Sequence, residues 1–276
     1  MSSIRDSFDM VVFDWAGTMV DFGSRAPVLA LIEAFAALGV EVTEEEARLD
    51  MGRAKADHVR ALLETPRIGA GWAAAHIGQA QGAAPDPSAV ARVMAQLQSP
   101  MMRLAQETAD LIPGAAETAA HLRGLGVKIA SCTGYTREMM QAILPRAAAQ
   151  GYAPDAVVCA HETAQGRPSP LMIYKACADL GVWPLSRVVK VDDAEVGVAE
   201  GRNAGCFTVG VAASGNLTGR TSQTLSAMDA DERRVVLGAA ADRLRAAGAD
   251  LVIATVADLV PALEGAPASA LSRRGT

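Results

Sequence analysis

Five short apolar runs, residues 127–131, 156–159, 188–191, 207–211 and 251–254, alternate with helical segments through the second half of the chain. This rhythm constrains the fold most, because strands joined by crossover helices build βαβ units and a parallel sheet. A sixth run, residues 8–14, lies far upstream and is continuously apolar from Met10 to Phe13 before it meets a carboxylate, Asp14. A run of this kind reads as a strand buried on both faces. Its abrupt polar end places Asp14 at the carboxyl edge of the sheet, where open α/β folds bind their ligands.

Between the first run and the rest the pattern is helical throughout. Pro27 suits a first helical turn, and Leu29, Leu31, Ile32, Phe35 and Leu38 recur at helical spacing before Gly39 ends the segment. Thr43 followed by Glu46 is a capping-box signature for a second helix. Further helices are expected over residues 55–64, from about residue 66, and after a Gly/Pro-rich loop at residues 82–87. The expected fold class is α/β: a doubly wound, Rossmann-like parallel-sheet core with an inserted all-helical domain. Residues 1–24 and 107–276 form the core, and residues 25–106 form the insert, a fitting size for a small domain. The last residues, 272–276, are expected to fray.

Composition narrows the partners. With 25 basic and 31 acidic residues the net charge is −6, and no Lys/Arg stripe appears, which argues against nucleic acid. Four scattered cysteines lack a Cys-x-x-Cys spacing and read as reduced thiols of a cytoplasmic protein. No stretch approaches membrane-spanning length, and the first eight residues lack a secretory apolar region. A soluble, cytoplasmic protein acting on a small molecule is therefore expected.

Three strand ends carry candidate chemistry. The first is Asp14. The second is the segment 131–136, where Thr133 and the Gly134 amide offer donors to a phosphoryl or phosphonyl oxygen at a strand-to-helix junction. Taken alone, Thr133 or Thr136 is more readily an ordinary helix cap. The third is the Asp192-Asp193 pair. If this edge meets the edge bearing Asp14, the carboxylates repel unless a divalent cation lies between them, and hard oxygen ligands suit Mg²⁺. Between these lies Arg167, an anion clamp if it stands beside a phosphoryl site and a surface charge otherwise.

In order and separation, these segments resemble the four motifs of the haloacid dehalogenase superfamily, and more closely those of its phosphonoacetaldehyde hydrolase (phosphonatase) family. Asp14-Trp15-Ala16-Gly17-Thr18 resembles the first motif of that family. The segment 51–58, with Met51, Gly52, Lys55 and His58, resembles its cap signature. Thr133 to Thr136, Gly166-Arg167-Pro168 and the segment 200–205 fit as well. The pairing of Ala16 with Lys55 is the most specific part. Superfamily phosphatases carry a second Asp two residues after the first, as general acid for a leaving alkoxide, and here that position is Ala16. Cleaving a C–P bond needs a sink for a carbanion instead, and a lysine imine with a neighbouring aldehyde provides one. Lys55 must be neutral to form it, so burial or nearby positive charge is expected to depress its pKa.

The resemblance implies roles residue by residue. Asp14 is the nucleophile, Lys55 the Schiff-base amine and His58 a proton shuttle. Thr133, Gly134, Arg167 and Met51 bind the substrate, phosphonoacetaldehyde. Asp14, the Ala16 carbonyl and Asp193 hold Mg²⁺. It also implies a homodimer and a cap that closes over the core. At the fourth motif many superfamily members have Gly-Asp and an acid four residues on, whereas here Asp192 stands in the Gly position and Gly197 in the acid position. The alternative is another Mg²⁺-dependent phosphatase or phosphotransferase of the same superfamily. A non-catalytic anion sensor fits less well, since nucleophile, cation site and amine are all present.

Overall fold

The computed structural model describes residues 4–76 and 87–266. The loop expected at residues 82–87, save its last residue, and the tail 272–276 fall outside them. Six strands, β1 (Met10–Phe13), β2 (Lys128–Cys132), β3 (Ala156–Val158), β4 (Val188–Asp192), β5 (Phe207–Val211) and β6 (Leu251–Ile253), form one sheet in the order β3-β2-β1-β4-β5-β6. Every pairing is parallel. The chain is thus α/β, with the strand order of a doubly wound dinucleotide-type sheet.

Around the strands run α1 (Ile4–Ser7), α2 (Arg25–Ala36), α3 (Glu44–Arg48), α4 (Lys55–Glu64), α5 (Pro66–Ala75), α6 (Pro87–Glu107), α7 (Ala115–Gly124), α8 (Arg137–Ala149), α9 (Leu171–Leu180), α10 (Glu195–Ala204), α11 (Ser222–Ala227), α12 (Ala230–Ala247) and α13 (Leu259–Gly265). Two element boundaries have local causes. Strand β1 starts at Met10 rather than residue 8 because residues 4–7 close a helical turn, with the Phe8 N–H donating to the Ile4 carbonyl at 2.8 Å. Helix α8 runs past Pro145 to Ala149, because its buried stripe of Met139, Met140 and Ile143 continues to Ala147.

All four residues of β1 are buried, and the period of two sorts them by face. Val11 and Phe13 join Ile129, Val189 and Val191 on one side. Met10 and Val12 join Ala130, Cys132, Met172 and Ile173 on the other. The first cluster continues without a break into the helices between β1 and β2, through Leu31, Phe35, Val59, Leu62, Trp72 and Leu97. Thr43 makes the expected capping box: its Oγ1 accepts from the Glu46 N–H and its N–H donates to the Glu46 carboxylate.

Because β1 sits between β2 and β4, the carboxyl ends of these three strands lie side by side. Residues 14, 133, 192 and 193, scattered over 180 positions of sequence, therefore share one sheet edge.

Candidate active site

Asp14 leaves β1 with its N–H still donating to the Val191 carbonyl on β4 at 3.0 Å, so its position is set by the sheet itself. Its Oδ1 accepts from Arg167 Nη1 at 2.8 Å. The same guanidinium donates to the Cys132 carbonyl at 2.5 Å and from Nε to Glu200 Oε2 at 2.9 Å, and lies 3.4 Å from Asp192 Oδ2. Lys190 Nζ stands 2.9 Å from Asp192 Oδ2 and 3.5 Å from Glu200 Oε2. The side chains of Lys190, Asp192 and Glu200 are wholly buried. Arg167 is thus held in the floor of the site rather than hanging free as a clamp.

Asp193 is different. Its oxygens accept from Thr18 Oγ1 at 3.3 Å and from the Asn216 N–H at 2.7 Å, both neutral donors. Ligand oxygens of Asp14, Asp192 and Asp193 all lie within 4.8 Å of one another. Four buried carboxylates, with Glu200 as the fourth, therefore face two permanent cations, Arg167 and Lys190. Even with the amine of Lys55 in the same cavity, negative charge is in excess, and these oxygens are the donors a hard cation takes. The residues present fit Mg²⁺ on that ground.

Without a cation the same imbalance distorts the acids. Burial, then repulsion from Asp192, pushes Asp14 up to about 6. Burial, then repulsion from Asp14 and Asp192, pushes Asp193 well above the carboxylate range. Burial also raises Asp192, but Lys190 and Arg167 more than offset it and hold that acid below its usual value. The two departures at the fourth motif prove to be linked. A Cβ at Gly197 would lie 2.0 Å from Asp192 Oδ2, so the Asp192 carboxylate fills the space that a side chain at 197 would need.

The amine comes from the helices between β1 and β2. Lys55 opens α4, is only 3% exposed, and lies 3.7 Å from the Met51 thioether. Burial lowers its pKa to about 8, although the Asp14 charge works against that fall. Gly52, at φ +94°, lets the turn before α4 press on the start of α10, since a Cβ there would meet Val196 at 2.8 Å. Gly134 matters in the same way, its open side facing the Gly52 and Arg53 carbonyls. His58 is fully buried one turn beyond Lys55, close to the backbone of Ala47 and Leu49. Burial, reinforced by the Lys55 charge, lowers its pKa to about 3, so the ring is neutral at ordinary pH.

Asp14, Ala16, Met51, Lys55, Thr133, Gly134, Arg167 and Asp193 all line one small cavity. Of the candidates for chemistry expected from sequence, His58 and Asp192 stay behind that lining. Thr136 caps α8, accepting from the Met139 N–H at 3.4 Å, while Thr133 Oγ1 accepts from the Tyr135 N–H at 3.1 Å within its own turn. The helix cap and the cavity-lining residue are therefore different threonines.

Sequence reasoning missed Lys190, Glu200, Thr18 and Asn216. A lone lysine inside the valine-rich run of β4 was a usable signal, since a charge buried there demands a partner. Asn216 carried none.

A haloacid dehalogenase-like hydrolase profile matches residues 8–205. A phosphonoacetaldehyde hydrolase of Paraburkholderia xenovorans is 46% identical over 251 residues, 91% of this chain and 92% of that protein. One from Bacillus cereus is 40% identical over 256 residues, 93% and 95% of the two chains. A crystal structure of a phosphonoacetaldehyde hydrolase-like protein from Oleispira antarctica, 36% identical, superposes with a TM-score of 0.90 over 99% of this chain and 96% of that one. With the sheet order and the residues gathered at its edge, these likenesses place the chain in the haloacid dehalogenase-like hydrolases, within the phosphonoacetaldehyde hydrolase family.

Proposed function

We propose that this chain hydrolyses the C–P bond of phosphonoacetaldehyde to acetaldehyde and phosphate, with Asp14 as nucleophile and Lys55 as imine-forming amine. The observation that carries the reading is that a buried amine and a buried carboxylate line one cavity while the general-acid position holds Ala16. Neutral Lys55 attacks the aldehyde carbon, water leaves, and uptake of one proton gives an iminium. An Asp14 oxygen attacks phosphorus, the C–P bond breaks, and its electron pair flows into the iminium as an enamine. Water hydrolyses the aspartyl-phosphate, and protonation at carbon followed by hydrolysis of the imine frees acetaldehyde and regenerates Lys55.

Arg167, Thr133 and Gly134 orient the phosphonyl oxygens, and Met51 packs against the two-carbon unit. His58, held neutral, relays a proton to and from Lys55 rather than storing one. Asp14, the Ala16 carbonyl and Asp193 would hold Mg²⁺, which supplies charge neutralisation at the phosphonyl oxygens. Residues 25–106 act as the cap, and residues 1–24 with 107–276 as the core, so that the cap delivers Lys55 and keeps bulk water out. Four buried free thiols support a reducing, cytoplasmic setting, and a homodimer is carried over from the family.

The test is Mg²⁺-dependent release of phosphate from phosphonoacetaldehyde, with borohydride trapping of the substrate on Lys55. Lys55→Arg abolishes both. Turnover that survives in Lys55→Arg, or a preference for ordinary phosphate esters, would refute the imine step.

A further inference from the structure

The segment after β5, residues 212–220, takes no part in the chemistry above, yet it hydrogen-bonds to Gly17 and Asp193 on the sheet edge and to Arg48 in the inserted helices. Ser214 Oγ donates to the Gly17 carbonyl at 2.7 Å, and the Gly23 N–H donates to the Ser214 carbonyl at 2.7 Å. Asn216, 3% exposed, is the centre of the segment. Its N–H holds Asp193 Oδ2 at 2.7 Å. Its side chain makes a reciprocal pair with Arg48, the last residue of α3. Asn216 Nδ2 donates to the Arg48 carbonyl at 3.2 Å, and Arg48 Nη1 donates to Asn216 Oδ1 at 3.1 Å.

Arg48 reaches further, to the Gly23 carbonyl at 3.0 Å, the Gly219 carbonyl at 3.3 Å and the Glu44 carboxylate at 3.7 Å. Its own carbonyl also accepts from the Met51 N–H at 3.3 Å, and Met51 touches Lys55. Gly219 leaves the room this requires, since a Cβ there would lie 2.4 Å from Arg48 Nε.

We propose that Asn216 and Arg48 are positioning residues that clasp the inserted helices onto the sheet edge. A single asparagine fixes Asp193 through its backbone and the turn leading to Lys55 through its side chain. The clasp brings the two halves of the site into register: when it opens, the amine and the cation-holding acid lose their common anchor. This inference rests on the proposed roles of Lys55 and Asp193.

Two readouts on the full-length chain test it. The first is direct Mn²⁺ binding, followed by the free-ion paramagnetic signal with no substrate present. Arg48→Ala removes a positive charge, and electrostatics alone would then tighten cation binding. The clasp demands the reverse: both Arg48→Ala and Asn216→Ala bind Mn²⁺ about fivefold more weakly, the size of a net hydrogen-bond loss. The second is the rate of borohydride trapping on Lys55, which falls by a similar factor. The double variant is no worse than the poorer single one, because the two residues form one unit. Mn²⁺ affinity that is unchanged or tighter, or trapping at the wild-type rate, would overturn the proposal. If either alanine variant does not fold, Arg48→Lys and Asn216→Ser carry the same test. Failure of wild type to trap on Lys55 would instead refute the proposed function, while the Mn²⁺ arm still decides the clasp at Asp193.

Discussion

Replacing Lys55 by Met is expected to destroy activity and stabilise the fold, and the gain must depend on pH in one direction only. Lys55 is buried and its pKa is lowered from 10.5 to about 8, chiefly by desolvation. Below about pH 8 the amine is charged in both folded and unfolded chains, so the folded state carries the full cost of burying it. Between about pH 8 and 10.5 the folded amine is neutral while the unfolded one is charged, and the cost shrinks as pH rises. Above 10.5 both are neutral and it vanishes. The gap between the two values corresponds to about 3 kcal/mol. Methionine has nearly the same shape without the charge. For a chain of this size, that predicts a rise of roughly 5–10 °C in the unfolding midpoint at pH 7. Paired calorimetric scans of wild type and Lys55→Met without divalent cations, from pH 7 to pH 10, measure it, and other titrating groups largely cancel in the difference. Equal midpoints at pH 7, or a gain that grows with pH, would refute the account of the buried amine. The same depression leaves about one amine in eleven neutral at pH 7, against roughly one in three thousand for an ordinary lysine. The instability and the nucleophilicity of Lys55 thus have one origin.

Three further outcomes follow from the site. Asp14→Asn abolishes phosphate release yet still traps substrate on Lys55, and because Asp14 raises the Lys55 pKa, the cation-free trapping midpoint moves below that of wild type; an upward move would contradict the charge assignment. Gly197→Ala drives a methyl group into the Asp192 carboxylate, and loss of Mg²⁺-dependent turnover with a lowered unfolding midpoint is expected; a fully active variant would show that Asp192 is free to move. Glu200→Gln breaks a buried ion pair with Arg167 and is expected to cost about 3 kcal/mol in denaturant unfolding, whereas a neutral result would mean that Asp14 and Asp192 balance both cations without it.

Much of this was readable in the chain because it depends on local pattern. The strand of residues 10–13 announces itself by apolar continuity and Asp14 by ending it. The helix beginning at Lys55 follows from its spacing and the capping box at Thr43 from two residues. What escaped depends on which strand ends become neighbours. Glu200 falls within a recognisable segment, but nothing local says that its carboxylate turns inward to Arg167. Asp192 and Gly197 each look anomalous alone and become intelligible only when the carboxylate of one is seen in the space left by the other. Asn216 is the extreme case: an ordinary loop asparagine 23 residues beyond Asp193 and 168 beyond Arg48, whose partners are fixed by tertiary structure alone.

The central place of β1 has a consequence for synthesis. This strand leaves the ribosome well before its neighbours, residues 128–131 on one side and 188–191 on the other. The helices of residues 25–107 are made in between and can gather locally while β1 waits for both. The Asp14 amide finds its acceptor only when Val191 has been translated. A nascent chain therefore carries the Asp14 carboxylate unseated while the 177 residues from Trp15 to Val191 are added, and this sheet edge can assemble only after β4 has been made.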